Sequence, residues 1–100
     1  MGDVQIEVSD RADRHRYEAT VDGEVAGKAF YRRDHTTVTF THTEVDDAFE
    51  GQGVGSTLVR WALDDVRRQG LRVRPLCPFV KAYIERHPEY ADLVVPAEAP

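Results

Sequence analysis

A change of periodicity at a cluster of glycines constrains this chain more than any other feature. Residues 36–45 are rich in β-branched side chains and read as a strand, with Val38, Phe40, His42 and Glu44 on one side. From Val54 onward the apolar positions become Val54, Leu58, Ala62, Leu63 and Val66, while Arg60, Asp64, Arg67 and Arg68 take the opposite face. That is helical spacing, and it predicts a helix over 53–69 closed by Gly70 as a left-handed cap. Between the two lies Gly51-Gln52-Gly53-Val54-Gly55-Ser56.

Upstream, the pattern is that of an antiparallel meander. Val4, Ile6 and Val8 alternate over a first strand, 4–8, which 9–13 interrupts; Tyr17, Ala19 and Val21 alternate up to Asp22-Gly23. Both residues of that dipeptide tolerate positive φ, so a tight type I′ turn should lead into a partner strand over 24–32. Arg33-Asp34-His35 makes the next turn. Downstream, 71–76 reads as a short strand, and Pro78 suits the first turn of a helix that His87-Pro88 stops. Residues 91–95 read as a last short strand, and 96–100 as a disordered tail.

The chain has 100 residues, room for one domain, 1–95. Its apolar runs are far too short to cross a bilayer, and the first residues lack a signal pattern, so a cytoplasmic protein with no membrane partner is expected. A net charge of −5 with no basic run makes nucleic acid a poor partner. The single cysteine excludes an internal disulfide, and the histidines show no ligand spacing, so no metal is expected. The expected state is a monomer.

Three segments could carry chemistry. Glycines at 51, 53 and 55 would let a backbone turn and the following helix N-terminus converge on a phosphate; the alternative is a glycine-rich turn and nothing more. Neither the dinucleotide fingerprint nor the Walker pattern is satisfied there. His42 and Glu44, two apart on a strand, could share a proton, or could be a hydrogen-bonded histidine beside a solvated glutamate. Cys77 falls at the N-cap of the helix begun by Pro78, where the helix dipole favours thiolate; the alternative is a buried structural cysteine.

In order, His42-Thr43-Glu44-Val45, then Glu50 through the glycines to Ser56-Thr57-Leu58-Val59, then Pro75-Leu76-Cys77-Pro78-Phe79-Val80 and His87-Pro88-Glu89-Tyr90, the chain resembles the minimal GNAT-like N-acetyltransferase family. The resemblance covers about 17–95. It implies an α+β, GNAT-like acetyl-CoA-binding fold with a mostly antiparallel, splayed sheet packed with helices. It implies acetyl transfer from acetyl-CoA to an amine, a small amine or a protein lysine, or else a coenzyme A-binding module without turnover. The loop of Gln52, Gly53, Val54, Gly55 and Ser56 would hold the pyrophosphate, and Glu44 and Val45 the pantetheine. Cys77, Phe79 and Tyr83 would lie near the thioester, with His42, Glu44 and Cys77 as the catalytic candidates. Direct attack by the amine is expected, with Cys77 in contact but not obligatory as a covalent relay. Two positions depart from larger relatives: Glu50 stands where Arg or Gln usually opens the loop, and Ile84 where a tyrosine general acid stands, with Tyr83 beside it. The short first half also omits a two-helix segment, which leaves the acceptor an open surface. Net charge and the carboxylates of Glu44, Asp46, Asp47 and Glu50 point to a cationic or amine-bearing acceptor.

Overall fold

The structure, a computed structural model, describes residues 5–95. Five strands form one sheet in sequential order: β1 (Ile6–Arg11), β2 (Arg16–Val21), β3 (Glu24–Arg33), β4 (Thr37–Val45) and β5 (Arg72–Pro75). The first four pair antiparallel, and β5 joins β4 in parallel. A parallel neighbour requires a crossover, and α1 (Val54–Arg68) supplies it. A second helix, α2 (Pro78–Arg86), follows β5. The architecture is α+β, and the two helices share one face of the sheet.

Local chemistry accounts for most of the turns. Asp22 and Gly23 both have positive φ, 50° and 83°, as the two-residue hairpin demands. The Asp34 carboxylate accepts hydrogen bonds from the amides of Thr36 and Thr37 at 2.8 and 2.9 Å, which closes the 33–35 turn. Gly70, φ 73°, ends α1 with its amide on the Arg67 carbonyl.

Three expectations are corrected. β1 runs on through Ser9 and Asp10, because Asp10 continues the inward alternation of Ile6 and Val8 and its carboxylate accepts from the Tyr31 hydroxyl at 2.6 Å. No strand forms over 91–95. A 3-10 helix, Pro88–Leu93, occupies most of that stretch, and only Val94 bridges to Val73. Arg67 holds the segment down, forking onto Asp92 at 2.9 Å and reaching the Glu89 carbonyl, while the Tyr90 hydroxyl donates to Asp64 at 2.7 Å. The third correction concerns β4. Tyr31 pairs with Phe40 but Phe30 pairs with His42, so Thr41 is an extra residue that flips the strand's phase. Val38 and Phe40 therefore point into the core, whereas His42 and Glu44 point to the face without helices. The tail at 96–100 and residue Val4 lie outside the described residues.

The core lies between the sheet and the helices. Leu58, Val59, Ala62, Leu63 and Val66 of α1 are buried against Tyr17, Ala19, Ala29, Val38, Phe40 and Val73. Gly27 lets α1 start this close: a Cβ there would meet Val54 Cγ1 at 3.1 Å and the Glu44 carbonyl oxygen at 3.2 Å. The first turn of α1 is thereby pressed against the end of β4.

Candidate active site

Residues at the start of α1 form the first part of the site. Gly53, φ 79°, caps the helix without a side chain, and the first intrahelical bond is from Thr57 N–H to the Gly53 carbonyl at 3.0 Å. The amides of Val54, Gly55 and Ser56 consequently have no acceptor among the described residues, and they sit at the positive end of the helix dipole. In front of them is a hollow of about 320 Å³ lined by Val45, Phe49, Glu50, Gly51, Gly53, Val54, Gly55, Ser56 and Phe79. The donor set is one that diphosphate oxygens fit. The glycines serve different ends. Gly51 and Gly53 hold positive φ in open space, while a Cβ at Gly55 would lie 2.6 Å from the Phe79 ring. A side chain at Gly55 would thus have to displace the half-exposed Phe79 ring, which lies across the helix start.

The second part is the splay between β4 and β5. β5 pairs with β4 only from Thr37 to Phe40, and the pairing cannot continue because Pro75 and Pro78 lack an N–H and the chain turns away into α2. From Thr41 to Val45 one edge of β4 is left without a strand partner among the described residues. Cys77 caps α2 at the base of this opening; its amide donates to the Phe40 carbonyl at 3.0 Å. The thiol is buried and lies 3.3 Å from the Thr43 hydroxyl. Leu76, 64% exposed, and Phe79, 38% exposed, leave apolar surface beside it.

The third part is on the other face. His42 Nε2 and Glu44 Oε2 are 3.0 Å apart, and both side chains are exposed. Phe30, the cross-strand partner of His42, stacks on its ring at 6.0 Å, and the Arg16 guanidinium lies over Phe30. A strand backbone therefore separates the His42–Glu44 pair from Cys77, although all three border the unpaired length of β4.

Of the residues singled out in the sequence, Gly53, Val54, Gly55, Ser56, Phe79 and Val45 meet at one hollow, and Cys77 stands at the splay. Gln52 lies in the turn, exposed. Tyr83 is elsewhere: it is buried against α1 and lines a separate hollow with Ser56, Thr57, Arg60 and His87. Sequence reasoning missed Thr43, the neighbour of the thiol, and Phe30, the shelf under His42. Both depend on strand register, which a run of alternating threonines does not encode. Among the described residues, no three His, Cys, Asp or Glu side chains are grouped so as to hold a metal ion, and no helix is long and apolar enough to cross a membrane.

Comparison with known proteins agrees with this geometry. A GCN5-like protein from Staphylococcus aureus, solved by NMR in solution, superposes with a TM-score of 0.67 at 24% identity over 98% of this chain and 94% of that one. Ribosomal-protein-alanine N-acetyltransferase from Brucella melitensis biovar Abortus 2308 superposes at 0.57 with 17% identity, over 85% and 65% of the two chains. Both likenesses concern the fold. In sequence, the chain is similar to Protein NATD1 of Xenopus tropicalis, 34% identical over 62 residues, which is 60% of this chain and 57% of the relative. Human NATD1 is 33% identical over 61 residues, 59% of this chain and 54% of the relative. The chain thus spans a little over half the length of the curated relatives it matches. The family described as GCN5-related N-acetyl-transferase matches residues 16–93. With more than three quarters of its length in that match, and with the splayed sheet and open helix start in place, the chain belongs to the GCN5-related N-acetyltransferase family.

Proposed function

We propose that this chain transfers an acetyl group from acetyl-CoA to an amine. The observation that carries the reading is the convergence of the unpartnered amides of Val54, Gly55 and Ser56 with the unpaired edge of β4 around one hollow. Those amides would receive the diphosphate, and the backbone of Glu44 and Val45 the amide groups of the pantetheine, as a neighbouring strand would. Leu76 and Phe79 would cover its apolar length. Acetyl-CoA, when bound, supplies a thioester carbonyl open to attack by a neutral amine.

His42 and Glu44 prepare that amine. An acceptor arriving on the open face of the sheet as an ammonium must lose a proton, and the hydrogen-bonded pair offers a carboxylate and an imidazole at 3.0 Å to take it. Phe30 fixes the imidazole plane by stacking. In balance, one proton of the ammonium leaves through the pair to solvent, a C–N bond forms, a C–S bond breaks, and a second proton from the nitrogen ends on the leaving sulfur. Cys77 is buried beside Thr43, where it borders the reacting carbonyl without needing to become acetylated.

Release of free thiol on adding a panel of amines to the protein and acetyl-CoA is the test. Glu44→Gln should lower kcat by roughly a hundredfold with little change in acetyl-CoA affinity, the usual scale for removing a general base. Binding without turnover against any amine would instead make the domain a coenzyme A-binding module.

A further inference from the structure

The chain has four tyrosines, and three are held by carboxylates: Tyr17 donates to Asp65 at 2.9 Å, Tyr31 to Asp10 at 2.6 Å and Tyr90 to Asp64 at 2.7 Å. Tyr83 donates to nothing among the described residues, although it is only 3% exposed. Its ring is locked, stacked at 4.0 Å on His87, whose Nδ1–H donates to the Tyr83 carbonyl at 2.9 Å. No enclosed side-chain nitrogen or oxygen among the described residues lacks a partner, so the Tyr83 hydroxyl is not sealed off, and Tyr83 lines a hollow that it can open into. That hollow, about 250 Å³ between α1 and α2, is otherwise walled by Ser56, Thr57, Arg60 and His87. Arg60 has no ion pair or hydrogen bond among the described residues, unlike Arg67 and Arg68 further along the same helix. Burial keeps the Tyr83 phenol above its ordinary range, against the opposing charge of Arg60, so the hydroxyl remains a donor.

A free hydroxyl donor that opens into the hollow, a guanidinium with no partner among the described residues and two further hydroxyls make a site for a compact, multiply charged anion. Ser56 lines both this hollow and the one at the helix start, so the two are adjacent compartments. We propose that the α1–α2 hollow is a phosphomonoester site in which Arg60 and the Tyr83 hydroxyl hold the 3′-phosphate of coenzyme A. The inference rests on the coenzyme reading above and adds to it a second anion site, which selects for the phosphorylated ribose.

Calorimetry of the full chain with coenzyme A and with 3′-dephospho-coenzyme A tests it. Wild type should prefer coenzyme A by roughly tenfold or more, as expected for a charge-assisted contact. Tyr83→Phe keeps the stacked ring, and Arg60→Gln alters an exposed side chain; each should weaken coenzyme A binding several-fold, leave dephospho-coenzyme A unchanged and so shrink the preference. Equal affinity of wild type for both ligands, or variants that weaken both alike, would overturn the phosphomonoester site while leaving the coenzyme reading intact. Failure of both ligands to bind would remove the coenzyme reading, and this site with it.

Discussion

Ser56 is the residue at which the phosphate reading can be tested without disturbing the fold. Substituting the neighbouring glycines would confuse the result: Gly51 and Gly53 have positive φ, and any side chain at Gly55 strikes Phe79. Ser56 is exposed at the third position of α1, where a glutamate is favourable to the helix dipole. Ser56→Glu should therefore keep or slightly raise thermal stability. It should cut acetyl-CoA affinity at least about tenfold, because like charges a few ångströms apart repel by more than about 1 kcal/mol at a protein surface. Titration calorimetry beside a melting curve separates the two effects, and unchanged affinity would mean that the 51–56 turn only connects two elements. At this scale the sequence was partly legible. Paired β-turn residues such as Asp22-Gly23 declare their φ values, whereas the partners of Gly55 and Tyr83 come from α2 and leave no local trace.

At the scale of elements, the site depends on how closely α1 is set against the sheet. Gly27 sits between Val54 and the Glu44 carbonyl, at distances a methyl group would have to widen by a few tenths of an ångström. Gly27→Ala should push the start of α1 off β3 and β4 and destabilise the fold by ~1–3 kcal/mol, measured by urea denaturation. Acetyl-CoA affinity should fall with it, since the amides move away from the edge of β4; a fully stable Gly27→Ala protein would show the packing to be looser than described. α1 was readable from its 3.6-residue period and the Gly70 cap. The Thr41 bulge was not: Thr39, Thr41 and Thr43 are interchangeable by composition, and only the pairing of Phe30 with His42 decides which faces the core. The segment after α2 misled for a related reason. Its apolar residues suit a strand, but long-range contacts of Arg67 and Tyr90 fold it into 3-10 turns instead.

For the molecule as a whole, the three tyrosine–carboxylate bonds tie the sheet and the last turns to one another. Tyr17 and Tyr90 reach α1, and Tyr31 reaches β1. Burial, the hydrogen bond and the carboxylate charge each hold these phenols above the ordinary value of 10.0. A phenol that stays protonated in the folded state but ionises in the unfolded one binds more protons when folded. Its contribution is complete below pH 10 and is lost as pH rises beyond it, at up to about 1.4 kcal/mol per pH unit for each group. Stability followed by urea denaturation from about pH 8 to about pH 11 should be flat and then fall, and Tyr90→Phe should make the fall shallower. A constant stability across that range would contradict the pairing of these hydroxyls.

The proposed acetyl-CoA groove is made by the start of α1 and the unpaired edge of β4. Backbone amide NMR during titration with acetyl-CoA tests it most directly. Large shifts are expected at Val54, Gly55 and Ser56 and at Thr43, Glu44 and Val45, with the β1–β2 hairpin unmoved. Shifts confined to other surfaces, or none at saturating ligand, would contradict it.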